Sequence, residues 1–333
     1  MQGMPNFDHR FDPPSSAPAG SSVDLSTREI EDAGLFEVLQ TPGAALGTWS
    51  LFNALIDTTT SDFRFHEPLG KSREVKTTLS GLFGRFVARA YANKYLNYRF
   101  FSCIHSPPMP LAFGLGLVER IESGDLPDWA VWGPSSGLGI VEAKGSHDWP
   151  GPAKSLGRAY EQAGRVTITL SAQVATFKRY AIATRWGFMT NGPERPMLWV
   201  KDPDEAGDAL SKGELHRLGF GVARRHYASL LKPLGHPDLA EALLSLARAK
   251  TERDFIAAQG TARAALAAAP SRNLTSSSGP EPQDALIGGF VTRAGPLAVG
   301  ELTPAEREAL HRLGSRLDQH RKAMTAASAR AEA

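Results

Sequence analysis

The chain has 333 residues, 42% apolar and 22% charged, with a net charge of +2 and one cysteine. At roughly 100–200 residues per domain this is one large domain or two, and a lone Cys103 excludes a disulfide framework or a cysteine-rich zinc site. No run approaches ~18 consecutive apolar residues, and the N-terminus lacks the basic and apolar regions of a secretory signal, so the expectation is a soluble, cytoplasmic protein.

The first 25 residues, rich in Pro, Ser, Gly and Asp, are expected to be disordered. Amphipathic helices are predicted at 27–39 and 44–57, split by Thr41-Pro42-Gly43, giving a helical N-terminal extension over 26–70. Charge is uneven here: residues 1–70 hold ten acids and three bases, whereas residues 71–105 hold seven bases against Glu74 alone. A concentrated basic segment is what a phosphate-binding surface needs. The plainer reading pairs the same bases with the acidic N-terminal region. Residues 74–97 read as one long helix, because Leu79, Leu82, Phe83, Phe86, Val87, Ala90 and Tyr91 recur at helical spacing. Arg85 and Arg89, four apart, share a face of it.

Strands are predicted at 99–105, 112–121, 128–132 and 139–143, the last two joined by the turn Gly133-Pro134-Ser135-Ser136-Gly137. Pro152 opens a helix with the stripe Leu156, Ala159, Tyr160, Ala163 and Val166, and with Arg158, Gln162 and Arg165 on its other face. Strands resume at 179–184 and 196–201 around the turn-forming Asn191-Gly192. Helices fill 204–230 and 237–266. A core over 71–235, a helical extension over 236–269, a linker over 270–283 and a small segment over 284–333 with an exposed helix after Pro304 complete the division. Strands placed mid-chain between helices argue for an α/β domain, a mixed central sheet flanked by helices, with helical additions at both ends.

The chemistry concentrates in two neighbouring strands. Side chains alternate along a strand, so Glu142 and Lys144 project from one face. If 128–132 and 139–143 pair as a hairpin, Asp128 approaches Glu142. Two carboxylates with open positions suit Mg²⁺, and the lysine can stabilise an attacking hydroxide or developing phosphorane charge. Glu74-Val75-Lys76 repeats the Glu-x-Lys spacing but lacks the apolar strand that would bury it. The plain alternative for Glu142 and Lys144 is a surface ion pair at a hairpin end.

Pro127-Asp128 followed by Glu142-Ala143-Lys144 after an apolar strand resembles the signature of the PD-(D/E)XK nuclease superfamily. The segment Tyr160-Glu161-Gln162-Ala163-Gly164-Arg165 resembles the Gln-containing helix of many members. Trp186-Gly187-Phe188-Met189-Thr190-Asn191-Gly192 with Met197-Leu198-Trp199-Val200 resembles the strand-turn-strand in nuclease domains of restriction–modification enzymes. The likeness spans about residues 125–202, with helix 74–97 in the place of the first core helix. It implies a restriction-endonuclease-like core and Mg²⁺- or Mn²⁺-dependent hydrolysis of DNA, with a restriction or defence role by analogy. Asp128 and Glu142 would be metal ligands, Lys144 would position or activate water, and Gln162 would support the site or contact the DNA backbone. From the basic charge of their segments rather than from the resemblance, Arg85 and Arg89, with Arg158 and Arg165, are expected to contact the DNA, and a homodimer or a partner protein is a further candidate. The chain departs from the pattern in lacking Tyr after the Gln motif, where Val166 and Thr167 stand, and it carries no methyltransferase or helicase motif. Two rivals remain open: an inactive nuclease-like fold that binds nucleic acid or protein, and an unrelated α/β protein with a charged hairpin.

Other motifs carry less. Gly70-Lys71-Ser72 resembles the end of a phosphate-binding loop, but Phe65 stands where its first glycine belongs. The nine histidines lack zincin spacing. His105, His147 and His216 read as packing or surface residues, with His147 worth watching for its place after Lys144. Cys103 reads as a small buried hydrophobe, and Trp129 and Trp132 as core residues rather than base-stacking ones.

Overall fold

A computed structural model describes residues 6–40, 56–57, 64–65, 73–147, 151–188, 195–202, 207–208, 210–232 and 237–268. The predicted helix over 44–57 lies outside them except at its last two positions, as do the Asn191-Gly192 turn, the linker, the C-terminal segment and Gly70-Lys71-Ser72.

The fold is α/β, built on a mixed seven-stranded sheet. Its strands run, edge to edge, β2 (Ser22–Asp24), β1 (Asn6–Asp12), β14 (Met197–Lys201), β12 (Lys178–Arg185), β9 (Gly137–Ser146), β8 (Trp129–Gly133) and β5 (Phe100–Cys103). β5, β8 and β9 are antiparallel neighbours, whereas β12 lies parallel to β9. A parallel pair needs a crossover, here through helix α3 (Ala153–Ala163) and the strands β10 (Val166–Leu170) and β11 (Gln173–Val174). β10 and β11 join β6 (Met109–Ala112) and β7 (Gly116–Arg120) in an antiparallel sheet of order β11-β10-β7-β6. The two-residue strands β3 (Ile56–Asp57), β4 (Arg64–Phe65) and β13 (Gly187–Phe188) form a third sheet.

Sequence alternation decides what covers each face of the main sheet. Phe101, Trp129, Val131, Val141, Ala143 and Ile182 form one core with the helices α1 (Thr27–Gln40) and α2 (Arg73–Lys94). Phe100, Ala130, Trp132, Leu138 and Ile140 face the opposite way, toward the second sheet and helix α4 (Lys212–Leu231). A third cluster, with Leu243, Leu246, Phe255 and Ala262, holds α5 (Pro237–Arg248) and α6 (Glu252–Ala268) beside α4. No helix among the described residues is long and apolar enough to cross a membrane.

One close approach fixes α2 against the strand that carries Glu142. A Cβ added to Gly145 would lie 1.7 Å from the Ser80 carbonyl oxygen, and one added to Gly84 would lie 2.5 Å from the Gly145 nitrogen. Only glycine at both positions lets helix backbone rest on strand backbone, which brings Arg85 to the end of β8.

Several expectations are corrected. Residues 6–24 are not disordered: β1 pairs parallel with β14 and antiparallel with β2. Phe7, Phe11, Val23 and Leu25 are buried, so period-2 alternation outweighs the Pro and Ser content around it. Ile56–Asp57 are strand, not the end of a helix. The predicted strand 112–121 is a hairpin, β6 and β7, turning at 113–115. Val166 is not on the helix stripe, because α3 ends at Ala163 with Gly164 as its cap, and Val166 begins β10. Helix α4 starts at Lys212 rather than 204, where Ser211 and Glu214 make a reciprocal capping box. The segment 237–266 is two helices, broken at 249–251.

Candidate functional site

Trp129 stands opposite Val141 in the β8–β9 pairing, so Asp128 falls beside Glu142. The two carboxylates clasp the strands reciprocally: the Asp128 backbone N–H donates to Glu142 Oε2 at 2.9 Å, and the Ala143 N–H donates to Asp128 Oδ2 at 2.8 Å. Lys144 Nζ donates to Glu142 Oε1 and, at 2.8 Å, to Gln162 Oε1 on α3. The Gln162 amide nitrogen donates to the Leu126 carbonyl, which fixes which end of the amide faces the lysine. Asp128, Glu142, Lys144 and Gln162 are thus brought together from two strands and a helix.

Arg85 and Arg89 are where the sequence reading needs correcting. Arg85 donates through Nη1 to Asp128 Oδ1 and through Nε to Glu37 Oε1 at 2.6 Å. Arg89 is only 3% exposed and donates to Glu37 Oε2 at 3.1 Å and Gln40 Oε1 at 2.7 Å. A guanidinium this deeply buried makes no nucleic-acid surface. The shared helix face points at α1, so the acidic N-terminal region neutralises part of the basic segment. Arg158 is exposed on α3, one turn before Gln162. Arg165 is half-buried beyond the helix end, with Nη1 donating to the Asp125 carbonyl at 3.2 Å. Trp129 and Trp132 are core residues, and His147 Nδ1 is 3.0 Å from Ser80 Oγ.

Sequence reasoning missed Glu37. It is fully buried and takes Arg85, Arg89 and the Trp129 indole N–H, the last at 3.1 Å. The only signal was the opposed charge of the two segments, which names no residue.

Glu142 is 1% exposed. Burial raises its carboxyl from the ordinary 4.5 to about 7, while Lys144 and Arg85 pull the other way. Between those two values the folded chain holds more protons here than the unfolded chain does. This group therefore contributes falling stability as pH rises from about 4.5 to about 7. Glu142→Gln, neutral throughout, should remove that slope. Urea midpoints of both proteins at several pH values across the window, without metal, check it; parallel curves would show that Glu142 stays ionised.

The donor set fits a hard divalent cation. Among the described residues no three His, Cys, Asp or Glu side chains come together as a metal site, so Asp128 and Glu142 would be the carboxylate pair. Mg²⁺ is commonly held by one or two carboxylates with water completing its shell. Arg85 and Lys144 already balance these carboxylates, and a cation would take over part of that role. The fold and cluster together define an α/β protein with a buried carboxylate–lysine site at the end of its central sheet. No protein-family model matches this chain, and no curated protein or solved structure was found to match it.

Proposed function

We propose that the protein is a metal-dependent nuclease with a restriction-endonuclease-like core, acting on DNA in the cytoplasm. The single observation that carries this reading is the placement of Lys144 between Glu142 and Gln162, with Asp128 clasped to the same glutamate. The core elements α2, β5, β8, β9, α3 and β12, a helix, three antiparallel strands, a helix and a parallel strand, support it, with the hairpin β6–β7 inserted after β5 and β10–β11 inserted after α3.

In this reading Asp128 and Glu142 hold Mg²⁺ or Mn²⁺, which when bound supplies Lewis-acid polarisation of the phosphoryl group and of water. Lys144 directs its N–H bonds at the charge that develops on the transferring phosphoryl group. Gln162 holds the ammonium in place, because the Leu126 carbonyl locks its amide. Arg158 and Arg165, beside Gln162, supply charge for the DNA backbone. A restriction or defence role is an analogy only, and a homodimer or partner protein would widen the DNA contact.

One observation favours a non-catalytic binding module: every carboxylate oxygen of Asp128 and Glu142 already accepts a hydrogen bond. Incubating plasmid, linear and single-stranded DNA with and without Mg²⁺ or Mn²⁺, beside Glu142→Ala, separates the two. Cleavage that needs both metal and Glu142 supports the nuclease. DNA retention without cleavage under all conditions rejects it.

A further inference from the structure

β5 borders a second feature on its other side. A cavity of about 380 Å³ opens between β5, α4 and the start of α5. Ser102, His105, Arg225, Ser229 and Lys232 line one side of it, and Asp238 and Glu241 come from α5.

The lining is unequal in charge that is already satisfied. Arg225 donates to Ser102 Oγ and to the Pro110 carbonyl, both at 3.3 Å, and these acceptors are neutral. No carboxylate pairs with it among the described residues. Burial lowers its guanidinium to about 10, and the charge of Arg248 adds to this. Glu241, by contrast, is engaged by Arg248. Lys232 is exposed at the end of α4 and carries no ion pair among the described residues. His105 is held below its usual value by burial first and by Arg225 next, so at neutral pH it offers a single N–H. A guanidinium without a counter-ion, in a partly buried wall, leaves a charge that an anion would satisfy.

We propose that this cavity binds the phosphate of a nucleotide, with Arg225 as the fork, Lys232 as the second cation and Ser102, Ser229 and His105 as neutral donors. Asp238 then accepts from the sugar hydroxyl or base amino groups that the phosphate carries. The volume fits a small organic ligand rather than a bare ion, and a carboxylate in the lining disfavours an unsubstituted dianion. The cavity also adjoins the candidate site: Cys103 pairs with Trp129, and the Ile104 N–H donates to the Asp128 carbonyl at 3.1 Å. Two sources share this chemistry, a nucleotide within a DNA strand and a free nucleotide; the first rests on the nuclease reading.

The test uses the full chain in EDTA, where cleavage is silent and binding alone is read. Calorimetry with deoxyadenosine monophosphate and with inorganic phosphate runs beside anisotropy with a labelled single-stranded oligonucleotide. Lys232→Glu and Arg225→Gln should each weaken mononucleotide binding at least tenfold. Asp238→Ala should weaken the nucleotide while inorganic phosphate binds at least as well as to the unmutated chain. A parallel loss with the oligonucleotide identifies the strand as the source, and a loss confined to the mononucleotide identifies a free one. Mononucleotide affinity within twofold of the unmutated chain in Lys232→Glu overturns the proposal, as does an unmutated chain that binds no nucleotide. Lys232 is exposed, so that variant decides even if Arg225→Gln fails to fold. Absence of metal-dependent cleavage with these binding losses intact would reject the nuclease reading alone.

Discussion

On the proposed nuclease reading, Lys144→Ala is expected to lower metal-dependent DNA cleavage by about 10²–10³-fold while leaving the fold and the binding of Mn²⁺ nearly unchanged. The lysine side chain is 33% exposed, and its partners are the Glu142 carboxylate and the Gln162 amide. Removing it leaves Glu142 to Arg85, the Asp128 N–H and any bound cation. Glu142→Ala should differ, because on the proposed reading it deletes a metal ligand as well as the partner of the lysine. Its Mn²⁺ affinity should fall with its activity, and raised Mg²⁺ should restore part of the rate. Asp128→Asn keeps an acceptor for the Ala143 N–H but loses charge against Arg85, so it should resemble Glu142→Ala. Single-turnover cleavage and Mn²⁺ titration on the three variants, with far-UV spectra matched, make the comparison. If all three cleave at the unmutated rate, the cluster only clasps β8 to β9.

The parts of this site that were legible in the sequence are those that local periodicity determines. Alternation put Glu142 and Lys144 on one face of a strand, and the Gly133–Gly137 turn demanded an antiparallel partner. Those two facts bring Asp128 to Glu142 with no knowledge of the remaining fold. Helical spacing placed Arg85 and Arg89 on one face equally well, but spacing does not say what that face meets. It meets Glu37, whose helix precedes α2 in the chain and which nothing local ties to it. The strands β1 and β10 were hidden for different reasons. Phe7, His9 and Phe11 alternate, yet their partner β14 lies far along the chain, and the Pro- and Ser-rich residues beside them dominate composition. In β10, Val166 continues the spacing of the α3 stripe by one step, so a strand start reads as a helix end until Gly164 is taken as the stop. Non-local pairing and the identity of a facing side chain are tertiary facts, and only the structure supplies them.

Glu37→Leu is expected to destabilise the protein by about 3–5 kcal/mol, the usual cost of breaking a buried ion pair by removing one partner. Glu37 is fully buried and Arg89 nearly so. The substitution leaves a guanidinium in the interior whose remaining hydrogen-bond acceptor among the described residues is the Gln40 amide, with the ring faces of Phe36 and Phe101 beside it. Trp129 also loses the acceptor of its indole N–H. The loss comes from a charge left unpaired rather than from a favourable pair deleted, and that distinction is measurable. Arg89→Met on its own should cost less, because Glu37 keeps Arg85, which is 27% exposed and partly solvated. The double variant Glu37→Leu with Arg89→Met should recover a large part of the Glu37→Leu deficit, giving a coupling energy of about 1–3 kcal/mol. Urea midpoints for the two single variants and the double close the cycle. Additive losses would mean that the two side chains are stabilised independently and that α1 is held to α2 by its apolar contacts alone. A recovered double variant would also free Arg85 from Glu37 while keeping Asp128 as its partner. On the nuclease reading, its cleavage rate then reads whether the N-terminal helix sets the position of the carboxylate at the candidate site or only the stability of the fold around it.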